Sequence, residues 1–166
     1  MRKWVISGLI IFGLLSGCAI QKPVQLQTKF DYESHKAYIQ NGTSVLKGQG
    51  FLRQQGGGVV TCAGSPVYLM PSTPFFREAV NLLRVGKNPQ IGQKLDPAYN
   101  AVLKQSQCDA QGNFLFTNLP PGSWFVVTEV KWIVGYNQQG GGLLREVSTN
   151  NNEIQVLLTD NDLIGR

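Results

Sequence analysis

The sequence predicts a mainly β protein: an antiparallel β-sandwich of the seven-stranded type, interrupted by a short helical insertion. Composition is the first reason. Only 15% of the 166 residues are charged and 19 are glycine, a balance that suits turn-rich sheets and argues against a coiled coil or a charged helical bundle. The second is period-two alternation of apolar and polar residues in the later half of the chain, most evident from Phe114 to Phe116 and from Ile154 to Leu158. The third is the punctuation of that half by Gly112, by Pro120-Pro121-Gly122 and by Asn150-Asn151-Asn152. A single histidine, His35, argues against histidine-ligated zinc and against Ser-His-Asp chemistry.

Taken in order, the chain opens on a leader. Met1-Arg2-Lys3 is a basic start, and Trp4 to Leu15 is a twelve-residue apolar run. A membrane span takes about 20 such residues, so the run suits the core of a signal peptide instead. Leu15-Ser16-Gly17-Cys18 follows and resembles the bacterial lipobox, whose cysteine is acylated and becomes the mature N-terminus. A buried cysteine in an apolar helix is the alternative. The resemblance implies a lipoprotein signal peptide over 1–17 and a covalent lipid on Cys18, so that the chain is anchored to a membrane without spanning it. Ala19 stands where an aspartate commonly retains such proteins in the inner membrane, which implies the outer membrane, periplasmic side. Loss of Arg2 and Lys3 leaves 13 of the 15 basic residues against 10 acidic ones, a net charge of +3. That excess is too small and dispersed for a nucleic-acid partner.

Residues 18–42 are polar and weakly patterned, and read as the lipidated N-terminus and a tether, with a short helix around 31–39 and His35 on its surface. The β domain takes up 43–166. Thr43 to Gln54 reads as strand, Gly56-Gly57-Gly58 as a break, and Val59 to Met70 as a strand kinked at Gly64-Ser65-Pro66. Thr73-Pro74 offers an N-cap and an N1 proline, and Phe75, Phe76, Ala79, Leu82 and Leu83 recur at helical spacing. Arg84 to Gln107 is a polar excursion with a helical turn near 98–104, completing an insertion over about 72–107. Long excursions of this kind are often functional, and this one is the first candidate to touch a partner.

Asp109 to Phe116 is a turn feeding an alternating strand. Ser123 to Val134 carries Trp124, Val126, Val130 and Trp132 on one face and Phe125, Val127 and Ile133 on the other, the two-sided apolarity of a central strand. The sequence Gln-Gln-Gly-Gly-Gly occurs at Gln54 to Gly58 and again at Gln138 to Gly142, and reads as two hairpin tips. No Lys-Ser/Thr follows either run, so neither is a phosphate loop. In an exported chain the remaining cysteines, Cys62 and Cys108, read as a disulfide, with two buried free thiols as the alternative. Two cysteines and a distant histidine leave zinc short of ligands, so no metal is expected.

The run Asp109-x-x-Gly112-x-Phe114-x-Phe116-x-x-Leu119-Pro120-x-Gly122-x-Trp124-x-Val126 resembles the carboxypeptidase regulatory-like, or transthyretin-like, β-sandwich family. Asp109, Gly112, Pro120 and Gly122 are then structural turn residues, with Asp109 capping its own turn. The chain departs from the family pattern at Cys108, where threonine is common, and in its long excursion after Leu69. Such modules carry no catalytic residues, and the resemblance implies no cofactor beyond the lipid on Cys18.

The expected function is a non-catalytic structural or interaction module of the cell envelope, held on the membrane by its lipid. Its expected partner is an envelope protein or a glycan, in one form as an accessory of a secretion or envelope assembly. The alternatives are an exclusion lipoprotein of the phage or plasmid type and a small envelope hydrolase. A hydrolase would draw a carboxylate pair from Asp96, Asp109, Glu129 and Glu146. Asp109 is better read as a turn cap and Glu129 as the outer face of a strand, while Ser65 and Ser123 are turn residues.

Overall fold

The computed structural model describes residues 22–91 and 97–165; the leader, Cys18 and Asp96 lie outside them. The elements in order are β1 (Val24–Gln25), α1 (Lys36–Ile39), β2 (Ser44–Arg53), β3 (Val59–Thr61), β4 (Pro66–Pro71), α2 (Pro74–Arg84), β5 (Pro89–Gln90), α3 (Pro97–Val102), β6 (Lys104–Gln107), β7 (Asn113–Leu119), β8 (Gly122–Val134), β9 (Asn137–Thr149), β10 (Glu153–Leu158), a 3-10 turn (Asp160–Asp162) and β11 (Leu163–Ile164).

Two sheets face each other. One holds β10, β2 and β3 in that order with β7 also on β2; the other runs β11-β9-β8-β4-β6. Their inner faces meet in a core that includes Leu46, Leu69, Phe114, Phe116, Trp124, Val126, Leu143 and Val156. Most pairs are antiparallel, as expected, but β10 runs parallel to β2. β10 arrives from the opposite sheet through Asn150–Asn152 and not through a hairpin, so no tight turn imposes the antiparallel sense.

A third layer covers the outer face of the five-stranded sheet. Phe75, Phe76 and Val80 of α2 and Tyr99 and Val102 of α3 pack on Met70, Phe125 and Leu144. Neighbouring β8 residues therefore bury in opposite directions, Trp124 into the sandwich and Phe125 under the helices. The predicted helix is present, but its buried stripe is Phe75, Phe76, Ala79 and Val80, with Leu82 and Leu83 half-buried. The excursion also supplies β6, which pairs with β4 as a sheet edge and had no alternating apolar signature.

The expected tether is not one from residue 22 onward. β1 pairs with β5, and the Glu78 carboxylate accepts the N–H groups of Gln27 and Thr28 at 2.7 Å each. Phe30 packs edge-on to Phe75 and Tyr99. His35, expected on the surface, is 1% exposed and stacks on Phe30 at 4.4 Å. Val24, Leu26, Phe30 and Ile39 line a strap across the helical layer, but their spacing follows neither 2.0 nor 3.6 residues. Only Lys36–Ile39 of the expected 31–39 helix forms.

The second Gln-Gln-Gly-Gly-Gly run is likewise not a hairpin tip. The β8–β9 turn is at Gly135 and Tyr136, and Gly140, Gly141 and Gly142 lie inside β9 opposite Lys131, Val130 and Glu129. Close approach explains them: a Cβ on Gly141 would lie 2.9 Å from the Leu163 side chain, and one on Gly140 would lie 2.0 Å from the Val130 carbonyl oxygen. The first run does turn the chain, with Gly57 at φ 89 and its N–H on the Gln54 carbonyl at 2.9 Å.

Cys62, after β3, is bonded to Cys108, after β6, with Cα atoms 5.8 Å apart. At the Pro120-Pro121-Gly122 turn the Thr149 hydroxyl donates to the Pro120 carbonyl at 2.7 Å and accepts the Trp124 indole N–H at 3.1 Å. Gly122 is nearly extended at φ 157; a Cβ there would sit 2.7 Å from the Tyr38 ring.

Candidate functional site

The two sheets part at one edge, where β6 and β7 each pair on one side only and the turn between them crosses the gap. A cleft of about 470 Å³ opens there, lined by Lys47, Gly48, Ser106, Gln107, Asp109, Asn113, Phe114 and Leu115. It continues into a depression bounded by Gln49, Gln155 and Leu157 and another bounded by Pro66 and Gln105. The central volume falls within the range of small-molecule sites.

Strand alternation places these side chains. On β2, Leu46 is buried and Lys47 exposed; on β7, Phe114 and Phe116 are buried and Leu115 exposed; on β10, Val156 is buried and Leu157 exposed. The register then sets Gln155, Lys47 and Leu115 in one row, and Leu157, Gln49 and Asn113 in the next. Each row mixes polar groups with one leucine, and Leu115 and Leu157 are 50% and 53% exposed. Gly48 is required beneath, because a Cβ there would lie 2.1 Å from the Phe114 ring.

The Asp109 turn forms the end wall. The Asp109 carboxylate accepts the backbone N–H groups of Gln111 at 2.9 Å and Asn113 at 2.7 Å, and the Asn113 side-chain amide at 3.0 Å. Those bonds, the Asn113 amide foremost, hold the carboxyl below its ordinary range. Gly112 adopts φ 81, and a Cβ there would lie 2.7 Å from the Gly50 carbonyl oxygen. Gln49 and Gln107 each spend one amide N–H on a backbone carbonyl, of Gln111 at 2.9 Å and of Gly64 at 3.1 Å. A primary amide keeps a further N–H and oxygen lone pairs after one such bond. The cationic end of Lys47 is 2.8 Å from Glu153. Amides and aliphatic carbons therefore make up much of the cleft lining, while its two charged groups, Lys47 and Asp109, are taken up by Glu153 and by the N–H groups of the turn.

The described candidate carboxylates, Asp109, Glu129 and Glu146, each have partners of their own and share none. Glu129 pairs with Lys131 at 2.5 Å. Glu146 accepts the Ser72 hydroxyl at 2.6 Å and the Arg77 guanidinium at 2.7 Å, and Arg77, then Ser72, hold it below its ordinary range. Arg77 also donates to the Ser72 hydroxyl and lies over the Phe125 ring at 5.3 Å. This Ser72–Arg77–Glu146 group was invisible in the sequence, since it joins residues 69 and 74 positions apart. Ser123 lies within β8, its hydroxyl 3.1 Å from that of Ser148. Among the described residues no three of His, Cys, Asp and Glu gather as a metal site would need, and no helix is long and apolar enough to cross a membrane.

Fold and cleft together define a small β-sandwich module with a helical layer on one sheet and a polar groove at its open edge. No protein-family model and no curated protein matches the chain. Among solved structures it is similar to a Pseudomonas aeruginosa protein described as a candidate carbohydrate-binding protein, with TM-score 0.64 and 22% identity over 80% of this chain and 98% of that one. At that identity the likeness establishes the fold. The major pilin subunit of Bacillus cereus, with TM-score 0.40 and 11% identity over 71% of this chain and 30% of that one, is too distant to carry an argument.

Proposed function

We propose that the chain is a non-catalytic, lipid-anchored module of the bacterial outer membrane that binds a glycan in the cleft between β6 and β7. The amide-and-leucine lining is the observation that carries this reading. Planar amides pair with vicinal hydroxyls as donor and acceptor together, while Leu115 and Leu157 offer apolar surface to sugar C–H groups. The carbohydrate-binding description of the similar Pseudomonas protein supports the same ligand class, as analogy of fold only. The Asp109-x-x-Gly112 and Leu119-Pro120-x-Gly122 turns support a regulatory-like sandwich without catalytic residues. Leu15-Ser16-Gly17-Cys18 supports the anchor, and Ala19 its outer-membrane address.

Calorimetry against a panel of envelope polysaccharide fragments tests the cleft. Leu115, exposed in the cleft, and Gln155, exposed in the adjoining depression, are changed to alanine together; affinity is expected to fall at least tenfold, about 1.4 kcal/mol, with an unchanged melting temperature. A glycan bound equally well by the double variant sinks the assignment of the site. Mass spectrometry of the mature N-terminus tests the anchor, since an unmodified Cys18 sinks it.

A further inference from the structure

The β8–β9 hairpin outruns the sheet that carries it. β4 accompanies β8 along Trp124–Val127, and β11 accompanies β9 at Gly142 and Leu143. Past the Glu129–Gly142 pair, β8 has five more residues, all laddered to β9, a two-stranded ribbon of about 17 Å at ~3.3 Å per residue, whose base is seated on the core through buried Val130 and half-buried Trp132. Its tip is apolar. Ile133 is 66% exposed, Val134 56% and Tyr136 fully so, a cluster that a domain surface rarely shows without a use.

The chain enters the domain at this same end. The Val24 N–H bonds the Asn88 carbonyl at 2.8 Å, just past α2; Gly86 lies against Gly165; and Ile164 pairs with Gly142 at the base of the ribbon. From there the strap runs away from the ribbon, through Glu78 at mid-helix to Thr73 at the start of α2. Lys22, Arg84 and Lys87, all exposed, stand at the ribbon end. Cys18 is four residues before Lys22, a reach of at most about 14 Å, shorter than the ribbon.

We propose that the tip Ile133–Tyr136 inserts into the headgroup boundary of the phospholipid leaflet that holds the Cys18 lipid, with Lys22, Arg84 and Lys87 facing anionic headgroups. The inference rests on the anchoring reading above. A lipid surface within reach of Cys18 meets a ribbon of this length, and an aliphatic tip with a tyrosine beside basic residues suits the bilayer interface. The leaflet thereby gains a second, non-covalent contact that fixes which face of the sandwich looks away from it.

The test uses the acylated mature chain, beginning at Cys18, in vesicles of phosphatidylethanolamine and phosphatidylglycerol with brominated acyl chains. Removal of the leader takes Trp4 with it, leaving the buried Trp124 as an internal reference and Trp132 on the ribbon. In a Trp132→Phe background, Tyr136→Trp is expected to show blue-shifted emission and quenching by bromine, and adding Ile133→Asp is expected to reduce that quenching several-fold. Vesicle-bound chain whose residue-136 probe stays unquenched overturns the insertion and leaves the anchor standing; that includes the case where a protein covers the tip. Chain that carries no lipid on Cys18 and does not float with the vesicles overturns the anchor and this inference together.

Discussion

His35 Nε2 is hydrogen-bonded to the Thr73 hydroxyl at 2.7 Å across 38 residues of sequence. Its other ring nitrogen faces the Asp31 carbonyl oxygen at 2.5 Å, which can only accept, so Nδ1 carries a proton, and in the neutral ring Nε2 is the acceptor. Thr73 is the N-cap of α2, yet its side chain makes no cap bond; it is committed to the histidine. The strap and the helical layer are thus joined at a buried polar contact.

His35→Ala is expected to lower stability by about 3 kcal/mol, from a cavity beside Phe30 and Phe76 together with an unsatisfied Thr73 hydroxyl. Urea denaturation reads this directly. A loss below about 1 kcal/mol would mean that the strap opens independently of the sandwich.

The Cys62–Cys108 bond closes a loop of 46 positions, worth about 4 kcal/mol in the chain-entropy account. The double alanine variant is expected to fold with a stability lower by 2–4 kcal/mol, roughly. Both sulfurs belong to buried residues, so native-state reduction by dithiothreitol should be slow and should accelerate in sub-denaturing urea. Rapid reduction without urea would contradict the burial.

Stability should fall in acid. Hydrogen bonds from Arg77, then Ser72, depress the pKa of Glu146, and the Thr28 hydroxyl and the Gln27 and Thr28 N–H groups depress that of Glu78, each below the ordinary 4.5. A depressed carboxylate stabilises the native state above its unfolded pKa, and that contribution fades as pH drops below about 4.5 and through the folded value. Urea midpoints measured from pH 6 to pH 3 should decline in that window, and less steeply in Glu146→Gln. Equal slopes for the two proteins would remove Glu146 from the account.

Gly48→Ala should cost about 2 kcal/mol by overpacking against Phe114, and should perturb the cleft floor. Thermal melts alongside glycan titration separate the two effects. An unchanged melting temperature would show that Phe114 has room to move.

What could be read from the sequence was local. Asp109 caps a turn made of its own neighbours, and the alternation around Trp124 and Phe125 announces a strand buried on both sides. The aromatic pair Phe75-Phe76 at helical spacing marks what covers Phe125. What could not be read depends on register between distant segments. Lys47, Gln49, Leu115 and Leu157 are each ordinary outward positions, and only the pairing of β10, β2 and β7 makes them neighbours. The strap leaves no periodic signal because its apolar residues answer to the helical layer beneath them and share no period. Gly140 to Gly142 are ambiguous in the sequence because glycine signals close approach and chain reversal alike.

The β4–β6 ladder pairs Pro66 with Gln107, and the Cys62–Cys108 bond lies just behind it. To the sandwich, everything between Pro71 and Lys104 is therefore a cassette on a closed handle, whose two ends are fixed whatever lies between. Since each doubling of a flexible loop costs only about 0.6 kcal/mol, the cassette is the part of this architecture open to exchange. A substitute there would leave the handle closed but must bring its own apolar face to cover Met70, Phe125 and Leu144.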